Sequence, residues 1–171
     1  MLYRISQGLL SLFAFARPVD FELAGRYLNA AQVALFARFK RVEQLHSLNV
    51  LRAILAQGET PRDLAVAALL HDIGKVRFPL MTWQRTLIVL VRAFTPSSFA
   101  RWTDQEYTDF WRRPFVVSVY HPRWSAEMVA ETGASETALW LIAHHQDSYE
   151  KWAQHPYAPL LKRLQAADDS N

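Results

Sequence analysis

Cysteine is absent from the 171-residue sequence, and glycine is scarce, with five residues. Without cysteine the chain cannot form disulfides, iron–sulfur clusters, thiolate zinc sites or a thiol nucleophile. Any metal ion must therefore be bound by imidazole and carboxylate groups. Such ligands suit divalent ions of iron, manganese, cobalt, nickel, zinc or magnesium, and the residues alone do not choose among these ions.

The sequence also has no long hydrophobic run. No apolar stretch reaches the roughly 18 residues that a membrane-spanning helix needs. The run Leu9–Ala16 is interrupted by Ser11, follows one charged residue and precedes no clear small-residue cleavage site. It therefore does not match a signal peptide, and we expect a cytoplasmic protein.

A large excess of one charge is missing as well. Lysine and arginine number 19 and aspartate and glutamate number 16, which gives a formal net charge of +3. No block of like charge is long. This balance is typical of a mixed, solvated surface and gives no strong signal for nucleic-acid binding. The length fits one domain with a sizeable core.

Hydrophobic residues recur at helical spacing along almost the whole chain, and no convincing alternating strand pattern is present. The predicted fold class is therefore all-α, with one domain over residues 1–171 and about nine helices. Asn29, Thr60, Thr82 and Ser135 are predicted N-caps. The predicted helices are Leu2–Ala16, Ala30–Arg41, Val42–Gln57 closed by Gly58, a segment from Pro61 through Leu70 that ends at Gly74, Trp83–Phe94, a segment from Pro114 that ends before His121, Pro122–Glu131 closed by Gly133, a segment from Ser135 to about His145, and, after a loop, Tyr157–Asp168.

Histidine and aspartate occur at positions that suggest a metal site. His46 shares a helix face with Val42, Val50 and Ala53, so its imidazole points into a largely apolar stripe. A lone histidine there is more often a core residue that donates a hydrogen bond to a carbonyl, and that alternative remains open for His46 by itself.

The doublet His71-Asp72 ends a hydrophobic helix. Adjacent residues do not share a helix face, but where the chain turns both side chains can reach one ion. Asp72 could bridge two metal ions through its two oxygens, and a carboxylate beside an apolar helix is costly unless it is paired or coordinated. The alternative is an Asp–His hydrogen bond that closes the helix.

Asp168 follows the apolar face of the last predicted helix, where a carboxylate favours a cation. Its neighbour Asp169 is a candidate acceptor for a ligand histidine, and the alternative for both is a frayed acidic terminus. The remaining histidines are His121 before a proline, the tandem pair His144-His145, which by itself is a weak signal, and His155, which we expect to be exposed to solvent in a polar loop.

Five stretches together resemble the HD superfamily of metal-dependent phosphohydrolases, which is named for its His-Asp doublet. They are HSLNVLRAIL, LAVAALLHDIGK, HPRWSAEMVAETG, LIAHHQD and LLKRLQAADDSN, and the resemblance covers about Ala30 to Asn171 with a gap in the middle. It implies one HD-domain-like helical bundle with an N-terminal helical extension (residues 1–29) and a helical insertion (residues 81–113).

The resemblance also implies the site residues. Matching the family's motifs position by position gives one metal ion bound by His46, His71, Asp72 and Asp168. A second ion would be bound by His121, His144 and His145, with Asp72 as the bridging ligand that supports the chemistry. Lys75 matches a lysine near the substrate phosphate. The implied activity is hydrolysis of a phosphorylated small molecule, a nucleotide being one class, by metal-activated water.

Some branches of the family fit less well. The cyclic-dinucleotide phosphodiesterases carry Gly-Tyr-Pro soon after the tandem histidines, whereas this chain has Gln146-Asp147-Ser148-Tyr149. The glutamate that supports a third metal in that branch is replaced by Val42. The acidic pair that follows the doublet in alarmone hydrolases is also absent. The substrate is therefore not named by the sequence.

The insertion combines aromatic residues with arginines. It could form a substrate lid, a dimer face, a shallow membrane contact or additional core, and its aromatics could stack on a base. A non-catalytic metal- or nucleotide-binding regulatory module, with or without peripheral membrane contact, is the alternative function, and the oligomeric state is left open. The aromatic residues of the insertion are Trp83, Phe94, Phe99, Trp102, Tyr107, Phe110 and Trp111, and its arginines are Arg85, Arg92, Arg101, Arg112 and Arg113.

Overall fold

The computed structural model describes residues 18–106 and 109–171. This part of the chain is helical without strands, so the all-α prediction is confirmed. The predicted helix Leu2–Ala16 lies outside the described residues. The helices are α1 (Phe21–Gly25), α2 (Ala30–Phe36), α3 (Arg41–Leu55), α4 (Arg62–Leu70), a 3-10 segment η1 (Ile73–Arg77), α5 (Thr82–Phe94), α6 (Pro96–Trp102), α7 (Arg113–Ala130), α8 (Glu136–His144), α9 (Tyr149–Trp152) and α10 (Ala158–Asp169).

Helix α4 forms the centre of the core. Every residue from Leu64 to Leu70 is buried, because the segment is apolar on all sides and neighbouring helices surround it. Helices α3, α8 and α10 pack against it, and η1 packs against α7. The end of α4, which carries the His71-Asp72 doublet, therefore lies inside the protein.

Several predicted helix ends are confirmed. The Asn29 side chain accepts a hydrogen bond from Gln32 N at 2.8 Å, and Ser135 Oγ accepts one from Ala138 N at 3.1 Å. Gly58 and Gly133, predicted to close helices, have φ angles of 114° and 72°. This left-handed region is open to glycine because glycine has no Cβ.

Two predicted N-caps are wrong. The Thr60 hydroxyl donates back to Gly58 O at 3.0 Å, and Pro61 stands at the cap position of α4. Helix α5 begins at Thr82, so the cap position falls on Met81, whose N–H donates to Gln84 Oε1 at 2.7 Å. In both cases a contact with a nearby side chain or carbonyl decided where the helix starts.

The predicted break at His121-Pro122 is also wrong, because α7 runs without interruption from Arg113 to Ala130. Proline lacks an N–H group and usually ends or kinks a helix. Here packing holds both halves of the helix in place. The residues that do so are Val116, Val117 and Trp124, which form a buried cluster against Phe78, Leu80 and Tyr120.

Other differences are smaller. Helix α2 ends at Phe36 instead of Arg41, and the doublet leads into η1 instead of continuing α4. The predicted loop before the last helix contains the short helix α9. Within the described residues, no helix is both long enough and apolar enough to cross a membrane. The cytoplasmic location stays a prediction.

The insertion divides into two parts with different surroundings. Phe99 and Trp102 of α6 pack on Phe115 of α7, with ring centroids 6.2 and 5.1 Å apart. In contrast, α5 exposes large apolar side chains, among them Leu90 and Phe94. The α6 part therefore packs on α7 through half-buried aromatic rings, but no residue of α6 is fully buried.

Candidate metal centre

Five elements bring histidine and aspartate side chains together at the buried end of α4. Three of the side chains are fully or almost fully buried histidines, and Asp72 is 3 % exposed. Ionisable groups are rarely buried unless they are paired or coordinated, so this cluster requires a chemical explanation. The contributors are His46 from α3, His71 and Asp72 from the turn after α4, His121 from α7, His145 from the turn after α8, and Asp168 from α10.

The backbone fixes the tautomer of the three buried histidines. The Nδ1 atoms of His71, His121 and His145 lie 3.0, 2.8 and 2.8 Å from the carbonyl oxygens of Ala68, Val117 and Ile142. A carbonyl oxygen can only accept, so each Nδ1 carries the hydrogen and donates it. In its neutral form, each ring therefore presents a bare Nε2 lone pair to the interior, which is the state that a metal ion binds.

These lone pairs converge on the carboxylate of Asp72. His121 Nε2 lies 3.2 Å and His145 Nε2 3.7 Å from Asp72 Oδ1, and His71 Nε2 lies 3.6 Å from Oδ2. The three Nε2 atoms and Asp72 Oδ1 are buried without a hydrogen-bond partner in the described structure. Lone pairs that face a carboxylate repel it unless a cation lies between them, so the donor set fits a divalent metal.

The other side of the cluster is formed by His46 and Asp168. His46 Nε2 lies 2.9 Å from Asp168 Oδ1, and His71 Nε2 lies 3.5 Å from the same oxygen. Three overlapping triads have ligand atoms within 4.8 Å of one another and could each hold a metal ion. They are His46, His71 and Asp72; His71, His145 and Asp168; and Asp72, His121 and His145.

Lys75 contacts the cluster from η1. Its Nζ lies 2.5 Å from Asp72 Oδ2, and its side chain is 27 % exposed. Burial alone would favour the neutral form of Asp72, but the charges of Lys75 and His71 outweigh it and hold the pKa of Asp72 well below its usual value. The carboxylate therefore stays ionised and available for a cation.

Burial and neighbouring charges act on the other groups with different results. Burial lowers the pKa of His145 to about 4, which keeps this imidazole neutral. Burial also lowers the pKa of His71, but the charges of Asp72 and Asp168 more than offset it, so that this pKa is raised. Burial would raise the pKa of Asp168, but the contact with His46 and the nearby charge of His71 outweigh it, so that this pKa is lowered.

His144 lies apart from these triads. Its Nδ1 lies 2.8 Å from Asp147 Oδ2, and its ring contacts Trp152 at a centroid distance of 4.4 Å. Its role as a ligand stays a prediction. Sequence reasoning missed Asp147, which also accepts hydrogen bonds from Lys151 and Trp152. Asp147 follows His144 by three residues just after the end of a helix, and this spacing could have indicated that the two side chains are in contact.

Two further predictions concern residues around the site. His155 is not simply exposed in a polar loop: its ring stacks on Trp140 with centroids 4.0 Å apart, because the loop folds back over α8. Asp169 is exposed and lines a cavity beside Asp168. The acceptors for the buried histidine Nδ1 atoms are instead backbone carbonyls, which sequence alone does not place.

Gly74 allows η1 to approach α7 closely. A Cβ on this residue would lie 2.4 Å from His121 O and 2.8 Å from Ser125 N. The Gly74 N–H donates to Ser125 Oγ at 2.8 Å. The glycine therefore fixes the position of the helix that carries His121 relative to the His71-Asp72 turn.

Two cavities lead to the cluster. The first, which we call the basic cavity, has a volume of about 270 Å³ and contains His121, Lys75 and further cationic side chains. The second, the acidic cavity, has a volume of about 590 Å³ and reaches His145 and Asp168. Arg92, Ser118 and Gln146 line both cavities, so the cavities adjoin each other.

Comparison with known proteins identifies one family. The model of the HD domain matches residues 45–170, which include every member of the cluster. Neither the curated proteins nor the solved structures include a match to the chain. The match gives one continuous range and does not test where the N-terminal extension or the insertion begins and ends. Those boundaries stay predictions.

Proposed function

Because the chain belongs to the HD domain family, we propose that it is a metal-dependent phosphohydrolase that cleaves a phosphate ester at the histidine–aspartate cluster. One observation carries the proposal. The buried Nε2 atoms of His71, His121 and His145, which lack hydrogen-bond partners in the described structure, converge on the carboxylate of Asp72. A core that needed only packing would not retain such groups.

Two ions are proposed, as the sequence predicted, although His144, which the sequence also assigned to the second ion, faces Asp147 and is left out of the proposed ligand set. His46, His71, Asp72 and Asp168 would hold one, and Asp72, His121 and His145 would hold the other. Two of the three triads share Asp72, whose two oxygens face different histidines, and this supports a bridging role. Divalent ions at such a site act as Lewis acids toward phosphoryl oxygens and lower the pKa of water.

The protein side chains would orient the substrate and balance its charge. Lys75 reaches from Asp72 into the basic cavity, where its ammonium group can donate to an oxygen of the reacting phosphate. The carbonyl oxygens of Ala68, Val117 and Ile142 hold the histidine rings in one orientation. This second layer preserves the ligand geometry during the reaction.

Charge favours the basic cavity for the substrate. Five cationic residues line it together with one acid, Glu43, which is paired with Arg85. The acidic cavity contains three aspartates and two arginines. An anionic ester would therefore enter through the basic cavity, and the adjoining acidic cavity would supply water.

The test combines metal content with turnover. Metal would be measured by mass spectrometry, and hydrolysis would be assayed on an aryl phosphate and a nucleotide panel with manganese, nickel or magnesium. We expect about two metals per chain and metal-dependent phosphate release. Asp72→Asn should lower metal affinity and the rate of phosphate release by more than about 100-fold each. Loss of a residue that only supports a metal ligand already lowers affinity or activity by about 10- to 100-fold. Asp104→Asn, at an exposed position outside the site, is the matched control.

The outcomes separate the candidate functions. Two metals without turnover on the whole panel would favour the non-catalytic binding module. Failure to load metal under any condition would refute the proposal, since the buried Nε2 atoms would then need another explanation. Thermal melting of each variant would establish that it is folded.

A further inference from the structure

Three cations in the basic cavity have no acidic partner among the described residues. Lys75 is engaged by Asp72, and Arg85 by Glu43. Arg38, Lys40 and Arg92 also line the cavity, but the described structure pairs none of them with a carboxylate. Like charges that converge on one cavity repel one another and create a potential that attracts anions.

These cations come from elements outside the ligand cluster. Arg38 and Lys40 lie in the connection between α2 and α3, whereas Arg92 lies on α5 in the predicted insertion. On α5, Arg85, Ile88 and Arg92 follow one another at helical spacing and face the cavity together. The insertion therefore contributes a wall of the basic cavity.

Several apolar side chains also line the cavity. These are Phe39, Val76, Pro79, Leu80, Ile88 and Val117, and the polar residues Ser118 and Gln146 complete the lining. Such a surface favours a hydrophobic or aromatic group on the ligand, while a few charged groups fix its orientation. Inorganic phosphate alone would leave this surface in contact with water.

We propose that the basic cavity contains a second anion site, formed by Arg38, Lys40 and Arg92, for a substrate that carries another anionic group besides the scissile phosphate. The apolar surface between the two anion sites would hold the substrate's central portion. This inference rests on the proposed function, because Lys75 and the metal ligands define where the scissile phosphate lies.

A pair of non-hydrolysable ligands tests the second site without turnover. Phenylphosphonate and para-benzenebisphosphonate share one aromatic ring and differ in one anionic group. Their dissociation constants for the purified protein would be measured by calorimetry at about 0.15 M salt, which screens distant surface charges. We expect the bisphosphonate to bind about tenfold more tightly, which corresponds to one charge-assisted hydrogen bond.

Substitutions test which residues produce this preference for the bisphosphonate. Arg38→Gln and Arg92→Gln should each reduce this preference about threefold, because both charges are exposed to solvent and screened by it, and should change the affinity for phenylphosphonate little. Arg101→Gln, an exposed arginine of α6 that lines neither cavity, should leave the preference unchanged. Equal affinities of the two ligands, or an equal loss in Arg101→Gln, would overturn the second site.

The two proposals fail separately. A preference for the bisphosphonate in a protein that hydrolyses no ester would refute the phosphohydrolase and leave the anion site in place. Ester hydrolysis without any such preference would refute only the second site.

The outer face of α5 supports an independent inference. Trp83, Leu87, Leu90 and Phe94 form a stripe at helical spacing and are 54 %, 36 %, 48 % and 78 % exposed. The segment from residue 82 to residue 102 contains no acidic residue and three arginines, of which Arg85 and Arg92 line the basic cavity and Arg101 lines neither cavity. An apolar stripe with tryptophan and phenylalanine on a cationic segment is the pattern of helices that lie in a membrane interface.

We infer that this stripe docks on an anionic lipid surface. Co-sedimentation with phosphatidylcholine vesicles, with and without phosphatidylglycerol, tests it. We expect binding mainly to the anionic vesicles and a several-fold loss in Leu90→Gln. Val42→Gln is the matched control, since Val42 is 47 % exposed on another helix. Unchanged vesicle binding by Leu90→Gln would refute the inference. It would also be refuted if the wild-type protein did not bind vesicles but formed a dimer, and Leu90→Gln dissociated that dimer.

Discussion

His46 Nε2 and Asp168 Oδ1 lie 2.9 Å apart, which joins helix α3 to the last helix, α10. The same carboxylate oxygen lies 3.5 Å from His71 Nε2. Asp168 thus adds a second carboxylate to the side of the cluster that contains His46 and His71. The last helix is therefore part of the candidate site.

Asp168→Asn should weaken the binding of one metal ion and spare the other. The amide keeps the shape of the side chain but removes the charge that faces His46 and His71. We expect more than a tenfold loss of affinity in titration calorimetry. Asp169→Asn is the control, and a comparable loss there would mean that the acidic terminus as a whole, not Asp168, attracts the ion.

The tandem histidines should differ in their effect on metal binding. His145 is buried and its Nε2 points toward Asp72, whereas His144 faces Asp147. We expect His145→Ala to remove about one metal equivalent and His144→Ala to lower the affinity less. Metal content after dialysis checks this. An equal loss in His144→Ala would establish His144 as a ligand whose ring turns away from Asp147 when metal binds.

Lys75→Gln should slow turnover while metal content stays near that of the wild type. Lys75 contacts Asp72 without belonging to any of the three triads, and its partly exposed ammonium group faces the basic cavity. Loss of one group that stabilises developing charge costs roughly 100- to 1000-fold in kcat. Steady-state kinetics with a metal assay on the same sample measures both. Loss of metal together with activity would make Lys75 a residue that maintains the ligand geometry instead.

Gly74→Ala should destabilise the protein and disturb the site together. The added methyl group would overlap His121 O, so η1 and α7 must separate. Overpacking of this kind costs about 1–3 kcal/mol, measurable by urea unfolding. Gly25→Ala is the control, because a Cβ there meets nothing within 4 Å. If Gly74→Ala matched the wild type in stability and metal affinity, the close approach would have no structural role.

Metal affinity should fall as the pH is lowered. His71 has a raised pKa, so below that pKa a proton occupies the nitrogen that the metal needs. His145, with a pKa of about 4, is already neutral near pH 7 and releases no proton there. Calorimetry in buffers of different ionisation enthalpy between about pH 6 and 8 would detect up to about one proton released on binding. A pH-independent affinity would contradict this assignment.

The sequence determined the helical class and indicated which groups are candidates for binding metal. Helical periodicity and the caps at Asn29 and Ser135 act within a few residues, so they can be predicted from local pattern. The ordered histidines and aspartates indicated the family, and all but one of the predicted ligands meet in one cluster. The absence of cysteine limited the metal ligands to imidazole and carboxylate.

Tertiary structure decided how those groups are oriented and what surrounds them. Packing carried α7 through Pro122 against its local preference, and chain turns directed His145 inward but His144 toward Asp147. The basic cavity joins Arg38 to Arg92, which lie on separate elements. Such relationships depend on contacts between segments that are distant in sequence. The energies of these contacts depend on burial and charge in the folded protein, and a local sequence pattern does not give them.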